Sequence, residues 1–259
     1  MSEKSKIGII IPTLGERHDY LKETIRSSKE FGDVHLLIVA PKESIHSLQT
    51  LKSVDQIIPE NQPGLPAAIN WGFQNLPREI QYIGWIGDDD LLAPDGGKKS
   101  VEFLNDNPGF VMTFGVCRYI NGVGKTIGMN TFGQWAVPLL RFGPDLIPQP
   151  GSIFRRDMFT KVGEIDVEFK LAFDFDLFIR LSKAGKIKAM SFEVGSFRWH
   201  SDSKSVKTRK QSVIEASRVR RKHLPTILKP IALFWEIPVL LATYCAGVLV
   251  TYKSRNSVK

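Results

Sequence analysis

The chain has 259 residues, 42% of them hydrophobic and 24% charged, which suits one or two packed domains and excludes disorder along its whole length. Its net charge of +8 suggests a nucleic-acid binder until it is divided: between Lys204 and Lys229 nine Lys or Arg face one acid, Glu215, whereas residues 1–203 sum to −2. Two cysteines, Cys117 and Cys245, are too few for a disulfide framework or a cysteine zinc site and fit a reducing compartment. The N-terminal apolar run is too short for a secretion signal, so the expected location is cytoplasmic.

Residues 7–11, Ile-Gly-Ile-Ile-Ile before Pro12, read as a strand buried on both faces. A helical pattern over 17–31, a strand at 34–40, a short helix at 43–51 and a strand at 56–58 follow. A helix at 64–76 and a strand at 82–86 complete the first half. This alternation predicts an α/β domain with ligands at the carboxyl ends of its strands. Further on, 110–119 reads as a strand, and 121–150 has the Gly- and Pro-rich composition of a binding loop. A helix at 172–184, a strand at 188–194 and the run Phe197-Arg198-Trp199-His200 come next.

Asp88-Asp89-Asp90 stands directly after the 82–86 strand, where three like charges repel and require a positive counterpart. A Mg²⁺ or Mn²⁺ ion held with a phosphate ligand would supply it through oxygen donors. A solvated acidic turn before Pro94 is the plainer meaning of an isolated triplet, but its place in an α/β unit favours the cation. His200 is by itself a structural histidine; beside such a cation its imidazole becomes an additional ligand.

At 100° per residue, the 172–184 helix separates its two aspartates. With Phe173 at 0°, Asp174 falls at about 100° between Leu181 and Phe178, whereas Asp176, Arg180 and Lys183 gather at about 280–340°. Asp176 and Arg180 form an i,i+4 pair that is most simply structural. Asp174 lies in an apolar arc, where desolvation raises its pKa and suits it to accept a proton; a capping role at the helix start is the equal alternative.

These motifs, in this order, resemble the family-2 glycosyltransferases of the GT-A fold, over residues 6–205. The resemblance implies a mixed, mainly parallel α/β sheet flanked by helices. It also implies inverting transfer of a sugar from a nucleotide-diphosphate donor, with Asp174 as the base that deprotonates an acceptor hydroxyl. Pro12, Thr13, Arg17, Asn70 and Asp88 would then contact the donor nucleotide. Asp89, Asp90 and His200 would hold Mn²⁺ or Mg²⁺, and Gly151, Ser152 and Asp176 would approach the acceptor or the sugar. Where the family places an Asp after its second strand, this chain has Val39-Ala40-Pro41-Lys42-Glu43, which leaves the donor nucleotide open. Position 173 is Phe where an acid often precedes the family's catalytic Asp. A nucleotidyltransferase and a catalytically inactive sugar-nucleotide binder are the alternatives.

Residues 231–251 carry a single charge, Glu236, and would extend about 31 Å as a helix, against about 30 Å for a bilayer core. More positive charge precedes this segment than follows it, which favours the cytoplasmic side for the preceding part. The expected organisation is a GT-A domain at 1–205 and a basic, membrane-associating part at 206–259. The expected partners are a lipid-linked or nascent glycan acceptor and the anionic surface of the cell membrane's cytoplasmic face, met peripherally or by one span. Nucleic acid is not among them, because no aromatics are interleaved with the basic residues. Homo-oligomerisation is left open.

Overall fold

A computed structural model describes residues 6–200 and 208–256. The expected boundary at 205/206 and the end of the His200 loop, 201–205, lie outside these residues. The strands are β1 (Ile7–Pro12), β2 (Val34–Ala40), β3 (Gln56–Pro59), β4 (Tyr82–Trp85), β5 (Leu91–Leu92), β6 (Phe110–Asn121), β7 (Thr126–Asn130), β8 (Ile153–Arg155) and β9 (Lys186–Trp199). They form one mixed sheet in the order β3-β2-β1-β4-β8-β6-β9-β5, with β7 paired to β6. β1 pairs in parallel with β2 and β4, β2 with β3, and β6 with β9. β8 is antiparallel to both β4 and β6. The mainly parallel α/β sheet of a GT-A fold is therefore present.

The helices are α1 (His18–Glu30), α2 (Ile45–Leu48), α3 (Leu65–Gln74), α4 (Gly96–Asp106), α5 (Ala136–Leu139), α6 (Arg156–Lys161), α7 (Phe173–Ala184), α8 (Arg209–His223) and α9 (Leu233–Asn256). Every residue of β1 is buried, as its unbroken apolar run requires. Successive side chains of a strand point to opposite faces. Ile10 accordingly joins a core with residues of α3, α6 and α7, and Ile9 and Ile11 join a second core with residues of α1 and α4. Each fully buried isoleucine contributes about 1.5–3 kcal/mol.

Register carries these strands to the site. Ile10 lies opposite Trp85 across the β1–β4 pair, and the Ile86 amide donates to the Ile10 carbonyl at 3.0 Å. The residues after both strands, Thr13 and Gly87 to Asp90, consequently leave the sheet at one edge. Three stretches depart from the expected elements. The run at 188–199 lies in one continuous strand, β9, because its pairing with β6 persists through register shifts to Trp199. The expected loop at 121–150 contains the hairpin strand β7 and the short α5. The expected helix at 43–51 is a single 3₁₀ turn followed by α2.

The C-terminal helices pack onto the domain. Glu215 of α8 accepts from the Leu171 amide at 2.9 Å and also from the Lys170 amide. α9 rests against α8, β6 and β7. Glu236 takes Arg221 at 2.7 Å, the Trp199 indole donates to Thr251 at 3.0 Å, and Ser254 donates to the Trp199 carbonyl at 2.8 Å. Glu236, Thr243, Thr251 and Ser254 recur at helical spacing on this inner face. Phe234, Leu241, Leu249 and Tyr252 are exposed opposite it. The segment Leu233–Ser254 is long and apolar enough to cross a membrane by length and composition, with a mean hydropathy of 1.8.

Candidate active site

A cleft of about 640 Å³ opens at the carboxyl ends of β1 and β4, within the size range of small-molecule sites. Pro12, Thr13 and Arg17 form its wall beside β1, Val39 and Glu60 its end beside β2 and β3, and Asp88 to Asp90 its polar edge. Trp85 lies beneath, and Asp145 and Asp174 face in from the far side.

The acidic edge is held by the chain itself. Thr13 donates through Oγ1 to Asp88 at 2.6 Å. Arg17, just before α1, pairs with Asp89 and stands 3.5 Å from Asp88. His200 Nε2 lies 2.8 Å from the Asp89 carboxylate. The positive charge that the triplet requires is thus supplied in this state by a guanidinium. Asp90 turns inward, 4% exposed, and accepts from the Arg198 amide at 2.7 Å. Burial raises the Asp88 pKa despite the Thr13 hydrogen bond, and burial followed by the Asp89 charge pushes Asp90 well above the usual carboxylate range. Of the three carboxylates, Asp88 and Asp89 are the ones that Arg17 reaches from the cleft wall.

Strand alternation explains the next contributions. Phe197 and Trp199 of β9 line the cleft, while Arg198 between them points to the other face. Its guanidinium is 2% exposed, donates to the Asp89 carbonyl and to Glu23, both at 2.6 Å, and lies over the Tyr20 ring at 4.4 Å. Arg198 is thus a latch that ties α1 and β9 to the acidic loop.

α7 shows the expected division. Asp174, about 200° from Asp176 around the helix, faces the cleft. Burial pushes its carboxyl up to about 6, against the hydrogen bond it accepts from the Phe175 amide at 2.8 Å. Asp145 faces it, raised well above its usual range by burial and then by the Asp174 charge. Two carboxyls so placed do not readily ionise together, which leaves one as the proton acceptor near neutral pH.

Other expected site residues lie elsewhere. Asp176 is fully buried outside the cleft, bonded to Arg180 at 2.7 Å, His223 at 2.8 Å and Lys222 at 3.1 Å. Burial alone would raise its pKa, yet these three partners hold it far below the carboxylate range. It joins α7 to α8 and has no route to an acceptor. Asn70 points away from the nucleotide wall, exchanging hydrogen bonds with the backbone of Ile165 at 2.9 and 3.1 Å. Ser152 is 2% exposed and donates to the Pro148 carbonyl at 2.7 Å. Gly151 has φ +80°, and a β-carbon there would run into the Val194 carbonyl. Both residues shape the loop behind Gln149 and Pro150, which are the ones that line the cleft.

Asp145, Glu60 and Arg198 were not among the expected site residues. Asp145 had a legible signal, as the single acid within 121–150. Glu60 brings a carboxylate to the end of the cleft where the second strand lacks one.

The model of the family described as glycosyl transferase family 2 matches residues 8–163. No curated protein matches the chain in sequence. Among solved structures, that of Staphylococcus (S. aureus) TarS 1-349 in complex with UDP-GlcNAc superimposes with a TM-score of 0.64 at 13% identity, covering 88% of this chain and 70% of that one. S. aureus TarS 1-349 in complex with UDP gives 0.58 at 10% identity over 97% and 92%. A longer S. aureus TarS structure gives 0.58 at 13% identity, and there this chain is matched over 88% of its length but spans only 42% of the other.

Proposed function

The chain belongs to glycosyl transferase family 2, and from that premise we propose that it moves a sugar from a nucleoside-diphosphate donor to a hydroxyl of a lipid-linked or nascent glycan, with inversion. The observation that carries the reading is the pairing, across one cleft, of Asp174, poised near pH 6, with the cationic and acidic edge at Arg17, Asp88 and Asp89. Thr13, Arg17 and Asp88 would take the nucleotide and its diphosphate, with Glu60 near the base. Asp174 would accept the acceptor's hydroxyl proton as that oxygen bonds to the anomeric carbon, whose bond to the diphosphate breaks on the opposite side. One displacement inverts the centre, and Asp145, kept neutral, leaves the charge on Asp174.

Asp89 and His200 suit a hard divalent cation, with a carboxylate and an imidazole side by side. Among the described residues no three His, Cys, Asp or Glu converge on a point, so donor phosphate oxygens and water would complete the coordination, as is usual for Mg²⁺ carried with phosphates. When bound, Mg²⁺ or Mn²⁺ would neutralise charge developing on the leaving diphosphate. Arg17 would turn from Asp89 toward those phosphates.

The outward apolar face of α9 and the basic residues of α8 support association with an anionic membrane at the cytoplasmic face. The inner face is tied to α8 through Glu236 and to β9 through Thr251 and Ser254, which favours a helix lying in the lipid interface.

The test begins with UDP-GlcNAc, the ligand of the TarS complex. UDP and UDP-GlcNAc with Mn²⁺ should raise the melting temperature of the wild type and of Asp174→Asn, but not of Asp89→Ala. Asp174→Asn should abolish transfer. Near-normal transfer by that variant would overturn the base assignment.

A further inference from the structure

A second pocket lies beyond the Asp174 carboxylate. It measures about 190 Å³ and is walled by Asp145, Asp174, Ala216, Arg220 and Thr243. Because Asp145 and Asp174 also line the main cleft, the two spaces meet at this carboxyl pair. At that size the pocket is below the range of about 300–1,000 Å³ for whole small-molecule sites, and suits one headgroup presented to the donor next door.

Its unusual component is Arg220. The residue is 2% exposed, yet its Nε has no hydrogen-bond partner among the described residues, and its Nη1 makes one long bond, 3.4 Å to the Gly143 carbonyl. A guanidinium presents five donors in a planar fork, and burying them unpaired is costly. Neither Asp145 nor Asp174 accepts from it. Glu236, a buried acid whose charge acts on Arg220, takes Arg221 through Oε2 at 2.7 Å, and among the described residues its Oε1 accepts no hydrogen bond, from Arg220 or any other donor. Arg220 therefore brings an under-bonded positive charge into the pocket, the arrangement that captures a phosphate or carboxylate oxygen pair.

The elements that wall the pocket select between these anions. Asp174 of α7, Arg220 of α8 and Thr243 of α9 line it together, and α9 exposes an apolar face on its other side. A phosphate-linked lipid glycan carries a group for each: a sugar hydroxyl, a phosphate and an apolar chain. We propose that Arg220 binds the phosphate of the acceptor and so holds the acceptor's hydroxyl against Asp174. This rests on the sugar-transfer reading above and narrows its acceptor to a phosphate-bearing molecule.

The test uses the full chain in neutral detergent, with two probes followed by isothermal titration. One is phosphatidic acid in neutral phosphatidylcholine vesicles, set against phosphatidylcholine alone; the other is free glycerol phosphate. Wild-type protein should bind the phosphatidic acid vesicles at least tenfold more tightly than neutral ones. Arg220→Met should lose that gain and Arg220→Lys should recover part of it. General attraction to the basic surface does not depend on a residue this deeply buried, so dependence on Arg220 separates the two effects. Equal Arg220-dependent affinity for glycerol phosphate would support the same site and assign it to a soluble phosphorylated acceptor. Undiminished binding of both probes by Arg220→Met, in protein that still binds UDP, would overturn the proposal. Should Arg220→Met fail to fold, Arg220→Lys decides alone, since unchanged affinity in it would equally overturn the bidentate site. Wild-type protein that turns over no nucleotide sugar, yet shows Arg220-dependent phosphate binding, would refute the sugar-transfer reading and support the anion site.

Discussion

Asp174 is held in a form that the fold disfavours, and replacing it should make the protein more stable as it becomes inactive. Between the ordinary aspartate value of 3.8 and about 6 in the folded chain lie about two pH units, or about 3 kcal/mol at roughly 1.36 kcal/mol per unit. The sign follows from the order of titration. Below pH 3.8 the carboxyl is protonated in both folded and unfolded chains and costs nothing. Between 3.8 and 6 only the unfolded chain ionises, so folded stability falls, and above 6 the loss is complete. Asp174→Asn removes this titration and keeps an oxygen that can accept from the Phe175 amide. Its stability should match the wild type near pH 4 and exceed it by about 3 kcal/mol at pH 7.5. Relief of Asp145, whose pKa the Asp174 charge raises, adds in the same direction. Guanidinium unfolding of full-length protein in mild detergent, repeated from pH 4 to 8, measures the gap directly. A variant no more stable than wild type at pH 7.5, or a gap independent of pH, would refute the account of Asp174 as a desolvated base. The same titration should appear in the rate, with kcat/KM falling about tenfold per unit below pH 6 as the base becomes protonated.

The remaining predictions concern its neighbours. Asp176→Asn should show the opposite signature, costing about 3–5 kcal/mol at neutral pH because it leaves Arg180, Lys222 and His223 around a neutral group. Its folded pKa is depressed, so the wild-type advantage should be present above about pH 4 and disappear as the pH falls further, which acid titration of the two unfolding midpoints would show. Arg198→Met should weaken UDP binding at least tenfold while Asp174 still titrates near 6, because the latch under Asp89 is lost and α7 is untouched; calorimetry with UDP and Mn²⁺ checks it. Deleting 227–259 should move the protein from the membrane fraction to the soluble one, and unchanged recovery with membranes would count against the role given to α9.

Local pattern carried a large share of this structure. The unbroken apolar run of β1 specified a strand buried on both faces, since a parallel strand between two helix layers has no polar side to show. The helical period of α7 separated Asp174 from Asp176 by angle alone and gave them different surroundings, and desolvation of the one and ion pairing of the other follow from that angle. The position of Asp88 to Asp90 after β4 required a countercharge on electrostatic grounds. What supplied it was decided by packing: Arg17, distant in sequence, meets Asp89 because parallel pairing of β1 with β4 brings their ends together. Asn70 was assigned to the nucleotide and is bound instead to Ile165, since the loop that packs on α3 could not be seen in the α3 sequence. Arg198 and Arg220 became functional candidates only when strand and tail were folded around one cleft. The periodicity of a chain states which face of an element is buried, while the partner that covers that face, and the charge it brings, depends on tertiary contacts between residues many tens of positions apart.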